Sequence, residues 1–174
     1  AEQKEKISFI RDVEPILNKV GCTSGQCHGA AKGKNGFKLS LRGYDPEFDY
    51  EALLYDLSGR RFNRSDPARS LMLAKPTQQV AHGGGMRFEI GSTYYNTILK
   101  WISAGVPYGD PVADRVEKLE VQPAEIFMDR PSTTQKVVVT ARYPDGAVRD
   151  VTREASITSN STEVAEVEND ATVK

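Results

Sequence analysis

The hydrophobic period of this chain changes near residues 109–115, and that change restricts it to a two-part design. Before it, apolar residues recur at helical spacing; after it they alternate. Residues 8–20, SFIRDVEPILNKV, place Phe9, Ile10, Val13, Ile16, Leu17 and Val20 on one helical stripe. Pro15 lies inside that stripe and removes a backbone donor, so a kink or two short helical pieces are expected there. EFDYEALLYDL (47–57) reads as a short amphipathic helix, and SDPARSLMLAKP as a helical turn capped by Ser65 or Asp66 with Pro67 in first position. The strongest helix is STYYNTILKWISA (92–104): Ser92 caps it, Tyr95, Ile98, Leu99 and Ile102 share a face, and Gly105 with Pro107 ends it. FKLSL (37–41) suits a brief extended piece. Beyond the boundary, VEKLEVQP, QKVVVTARY, GAVRDVT, ASITSN and VAEVEN read as short strands separated by Pro-Asp-Gly or Asn/Ser turns.

Composition narrows the function classes. With 39% hydrophobic and 27% charged residues the chain suits a folded globular protein, and no run approaches the 18 apolar residues of a membrane span. Residues 1–115 hold 16 basic against 13 acidic residues, and residues 116–174 hold 7 against 11. Neither balance makes the basic face of a nucleic-acid binder, so no nucleic-acid partner is expected. The chain begins at Ala1 with no apolar signal core, which reads as a mature product or an excised piece. A sandwich of strands takes about 100 residues, and the strand-rich end is too short for one, so a longer parent polypeptide is expected.

Two cysteines are too few for a disulfide scaffold, but their placement is specific: Cys22-Thr-Ser-Gly-Gln-Cys27-His28, inside the loop GCTSGQCHGAAKGKNGF. A c-type haem is attached when two Cys thiols add across its vinyl groups while the His after the second Cys ligates iron. The usual spacer is two residues; here it is four, and Gly25 with the small Thr23 and Ser24 lets a longer spacer bulge. Two other readings stay open on the residues alone. One is a Cys22–Cys27 disulfide or two idle thiols; the other is a zinc site of Cys22, Cys27, His28 and His82.

FIRDVEPILNKVGCTSGQCHGA, DPARSLMLAKP and LKWISAGVPYG, in that order over residues 7–109, resemble the cytochrome c domains of large planctomycete proteins. The order of helix, Cys loop, ligand-bearing loop and aromatic helix is similar to class I cytochromes c. The resemblance implies an all-α cytochrome c fold over 1–112 and one covalent haem c, held by Cys22 and Cys27 with His28 as proximal iron ligand. In that family a distal Met precedes the helical Trp by about 18 residues. Counting back from Trp101 reaches His82, flanked by Gly83, Gly84 and Gly85, with Met86 as the alternative. A bis-His haem has a lower potential than a His/Met one and no open site, so electron transfer without catalysis of its own is expected. The alternative is a sensor or peroxidase whose sixth ligand is labile. The resemblance also implies a periplasmic or cell-surface location, with a redox protein or fused downstream domains as partner.

Other residues carry less. Arg60, Arg61, Arg64, Arg69 and Arg87 are candidate partners for haem propionates or a solvated basic face. Trp101 and Tyr95 read as core, and Asp45, Glu47, Asp49 and Glu51 as a helix start and not a calcium loop. From Val116 onward the chain is similar to bacterial group 2 immunoglobulin-like domains, through its opening L-x-V-x-P, its V-x-A-x-Y-x-D-G hairpin and its D-V-T. The expected layout is therefore multidomain: an all-α haem domain over 1–112, then an incomplete all-β immunoglobulin-like sandwich over 113–174. An adhesive or structural module built on a Cys22–Cys27 disulfide loop is the non-haem alternative.

Overall fold

The structure is a computed structural model that describes residues 6–128 and 133–174. Ala1 and the segment 129–132 of the immunoglobulin-like string lie outside the described residues. The chain divides into two compact units, Ala1–Pro111 and Val112–Lys174.

The first unit is built from short helical pieces. Pro15 divides the opening stripe: a π-helical turn, Phe9–Val13, runs into α1, Glu14–Lys19, with the proline in the first turn where its missing N–H costs nothing. Ser8 opens this segment by accepting from the Arg11 N–H at 3.2 Å, and its own N–H donates to Asp12 at 2.8 Å. Gly21, at φ +82°, carries the chain out of α1. α2 (Pro46–Tyr55) is capped by Asp45, which accepts from the Phe48 N–H at 3.1 Å. A 3₁₀ turn, Pro67–Arg69, precedes α3 (Leu71–Ala74). Asp66 makes no cap bond there and pairs instead with Arg69 at 3.3 Å. α4 (Thr93–Ser103) is capped by Ser92, as its sequence predicts.

One core joins these pieces. Phe9, Val13, Ile16 and Leu17 meet Tyr95, Ile98, Trp101 and Ile102 of α4, with Leu53 and Leu73 between. The Phe9 ring lies 5.6 Å from Trp101 and 5.4 Å from Tyr50. Burying a ring such as Phe9 stabilises by about 1.5–3 kcal/mol. The Phe9 N–H donates to the Pro107 and Tyr108 carbonyls, and Trp101 Nε1–H donates to Pro107 at 2.9 Å, so the exit segment locks onto the opening turn.

The second unit holds two small antiparallel sheets. β1 (Lys118–Gln122), β3 (Val138–Arg142) and β4 (Val148–Asp150) form the first in the order β1-β3-β4; β2 (Gln135–Lys136) pairs with β5 (Thr172–Val173). The Pro-Asp-Gly turn closes β3 onto β4, with Gly146 at φ +82°. Val137, Val139 and Ala171 form the small core.

The expected layout, an all-α cytochrome c fold followed by an immunoglobulin-like sandwich, needs correction. Over its described residues the chain is a small mixed α/β protein with four α-helices of 6, 10, 4 and 11 residues and two small antiparallel sheets. Turn-rich segments occupy the distances between helices. In the second unit ASITSN and VAEVEN form no strands; Val167 makes only an isolated bridge to Val173. At the end of ASITSN a hydroxyl competes for the backbone: Ser161 N–H donates to Ser159 Oγ, and that hydroxyl donates to the Ser161 carbonyl. FKLSL is likewise not a strand; Phe37 makes an isolated bridge to Lys34.

Candidate functional site

The Cys-His loop is folded back on itself. Cys22 N–H donates to Leu17 at the end of α1, Cys27 N–H to Ser24 at 2.9 Å, and His28 N–H to Cys22 at 3.0 Å. The four-residue spacer thus forms a closed bulge, and the backbone of residue 28 returns to that of residue 22. Thr23, buried inside, donates to Asn18 at 2.5 Å. Gly29 is required: a Cβ there would overlap the Thr23 carbonyl. Both thiols are free. Burial pushes the Cys22 thiol up to about 12, against the opposing charge of Arg87, so it stands as a neutral thiol. Cys27 Sγ accepts from Arg87 Nη2 at 3.4 Å, and Arg87 Nη1 donates to the Val20 carbonyl at 3.4 Å.

The structure brings His28 and His82 together. Their ring centroids are 6.5 Å apart and their planes 16° from parallel. His28 Nδ1 is 3.2 Å from the Phe37 carbonyl, and His82 Nδ1 is 2.8 Å from that of Gly85. A carbonyl only accepts, so each Nδ1 carries the proton and each Nε2 keeps its lone pair. Metal-binding imidazoles are oriented in this way. Two imidazoles sharing one metal through Nε2 at about 2 Å hold their centroids roughly 6–6.5 Å apart. At 6.5 Å the two rings are too far apart for ring-on-ring contact. Burial lowers His28 below the ordinary imidazole value, which favours its neutral, ligating form.

Between the two loops lies a cavity of about 340 Å³ lined by Leu17, Cys22, His28, Phe37, Met72 and His82, among others. Lys34, Arg60, Arg61 and Lys75 also line it, a cationic wall for an anionic group. Of the other arginines singled out in the sequence, Arg69 is engaged with Asp66 and Arg87 with Cys27, and Arg64 does not line the cavity. Met86 is 56% exposed and does not line it either. Trp101 and Tyr95 are core. Among the described residues no three or more His, Cys, Asp or Glu side chains gather to hold a metal ion, so Cys22, Cys27, His28 and His82 do not converge as a zinc tetrahedron does.

Sequence reasoning passed over Phe37, Lys34 and Lys75. It also passed over Glu14, which forms a buried carboxyl pair with Asp49, a residue expected only as part of a helix start; Asp49 accepts from the Ser40 N–H and hydroxyl. Asp49 sits on the face of α2 that reads as polar, and Glu14 in a stripe that reads as helix, so neither carries a local signal.

Compared with known protein families, curated proteins and solved structures, the chain matches none.

Proposed function

We propose that the first unit carries one covalent haem c between His28 and His82 and acts in electron transfer. The observation that carries this reading is the facing pair of imidazoles, near parallel, each with Nδ1 tied to a main-chain carbonyl and Nε2 left free. Four further features support it: free thiols at Cys22 and Cys27, an apolar cavity beside His28, basic side chains along its wall, and the sequence resemblance in the Cys-His loop.

When bound, the haem supplies a one-electron ferric/ferrous couple. Cys22 and Cys27 would tether it: each S–H adds across a vinyl double bond, sulfur to one carbon and hydrogen to the other. His28 and His82 would supply its iron ligands, leaving no place for an exogenous one and favouring a low potential. Leu17, Phe37 and Met72 would exclude water from it, and Lys34, Arg60 and Lys75 would neutralise its carboxylates. Covalent haem c is attached outside the bacterial cytoplasm, so the location follows as periplasmic or cell-surface, with a redox protein or a fused domain as electron partner.

The test is expression of the full chain with c-haem maturation machinery, then acid–acetone extraction and a pyridine haemochrome spectrum. Colour that stays with the protein and a band of two saturated vinyls support the reading. A colourless or fully extractable product overturns it.

A further inference from the structure

We propose that Arg61 is a positioning residue for the proximal ligand: its guanidinium braces Phe37 against His28 and places a buried positive charge beside the haem iron, raising its reduction potential. This deepens the haem reading and rests on it. Arg61 is only 7% exposed, although it carries a full charge. Among the described residues, its hydrogen bonds go to neutral main-chain carbonyls, Nη1 donating to Ala52 at 3.0 Å and to Asp56 at 2.7 Å. These are carbonyls at the C-terminal end of α2, which a cation satisfies. The Asp56 carboxylate is close enough to offset part of that charge, but it belongs to an exposed residue.

Locked in that way, the guanidinium lies 3.7 Å from the Phe37 ring centroid, a cation–π stack. The same Phe37 ring is 4.6 Å from the His28 ring, and its carbonyl is the partner of His28 Nδ1. Phe37 therefore orients His28 through both its ring and its main chain, and Arg61 holds Phe37. The chain of contacts keeps the charge within roughly 12 Å of an iron on His28, where a unit charge at an effective dielectric of about 20 shifts a one-electron equilibrium by about tenfold. A nearby positive charge disfavours the more positive ferric state, so the potential rises.

The experiment uses the full chain with haem attached, read by potentiometric titration and by EPR of the ferric form. R61M should lower the potential by about 59 mV, the equivalent of tenfold for one electron. R61K keeps the charge and loses the planar brace, so its potential should stay within about 18 mV of wild type, twofold in the one-electron equilibrium, while the EPR anisotropy changes as His28 turns. F37L, with Arg61 retained, should change the EPR in the same direction. An R61M potential within about 18 mV of wild type, with unchanged EPR, overturns the assignment. If R61M does not fold, unchanged EPR in both R61K and F37L overturns it. Haem that extracts from wild-type protein sinks the haem reading and this one together. Haem retained covalently with silent Arg61 variants sinks only this one.

Discussion

His28 and His82 stand on separate loops, yet each ring is clamped by a carbonyl three to nine residues further along its own loop, Gly85 for His82 and Phe37 for His28. The 16° angle between their planes is therefore set by two independent local turns and not by packing of one ring on the other. Such a site is oriented before any cofactor enters, which lowers the cost of binding it.

The ligand assignment separates cleanly by mutation. Ferric wild-type protein should give a low-spin, rhombic EPR signal, as near-parallel imidazoles do. His82→Ala should convert it to high-spin and let added cyanide bind quickly. Met86→Ala, at an exposed position, should leave the spectrum unchanged and shift stability by no more than about 0.5 kcal/mol. A high-spin Met86→Ala protein with a low-spin His82→Ala protein would reverse the assignment.

Cys22→Ala and Cys27→Ala each remove one tether. Each variant should hold haem through the remaining thioether, with its pyridine haemochrome band moved to that of one saturated vinyl, and the double variant should release all haem into acid–acetone. Mass spectrometry of the intact protein checks the same point. A single variant that keeps the two-thioether band would exclude its cysteine as an attachment point.

Glu14 makes stability depend on pH. Burial first, and Asp49 second, push its carboxyl up to about 9 from an unfolded value near 4.5. The folded state thus holds a proton that the unfolded state gives up, so the stabilisation is complete below about pH 4.5 and is lost as pH rises toward 9. The slope reaches at most about 1.4 kcal/mol per pH unit. Urea unfolding between pH 5 and 9 should show this decline, and Glu14→Gln should flatten it and be the more stable protein at pH 8. Equal slopes for the two proteins would rule Glu14 out as the source.

Gly29→Ala forces a methyl group into the Thr23 carbonyl inside the bulge of the Cys loop. The backbone must move, at a cost of about 1–3 kcal/mol, and the turn joining Cys22 to His28 opens. Lower Tm and a sharply reduced yield of haem-loaded protein are expected together. Gly83→Ala, where a Cβ meets no protein atom, is the control for stability and should leave Tm unchanged.

Local chemistry made part of this molecule readable in advance. Ser92 and Gly105 bracket α4, Pro15 separates the opening helical pieces, and the Pro-Asp-Gly turn sets the β3–β4 hairpin, each through interactions within a few residues. The Cys-His string is local too, and His82 was reached by counting from Trp101. What stayed hidden depends on distant partners. Arg61 reads as one of many surface arginines until α2 and Phe37 enclose it, and Glu14 looks like a solvated helix residue until Asp49 is buried beside it. The strand expected at ASITSN is absent because Ser159, next to its β-branched residues, takes the Ser161 N–H and carbonyl as partners.

The three carbonyls of Val106, Pro107 and Tyr108 accept from Tyr50, from Trp101 and Phe9, and from Phe9 and Ile10 respectively. That gives the first unit a minimum length. A polypeptide stopped at Gly105 would retain the four described α-helices and the loops that carry His28 and His82, yet it would leave donors on three separate elements without acceptors, at about 1–3 kcal/mol for each one that stays buried. During synthesis the unit consequently closes late: Phe9 waits for nearly a hundred residues to be made before its amide has a partner.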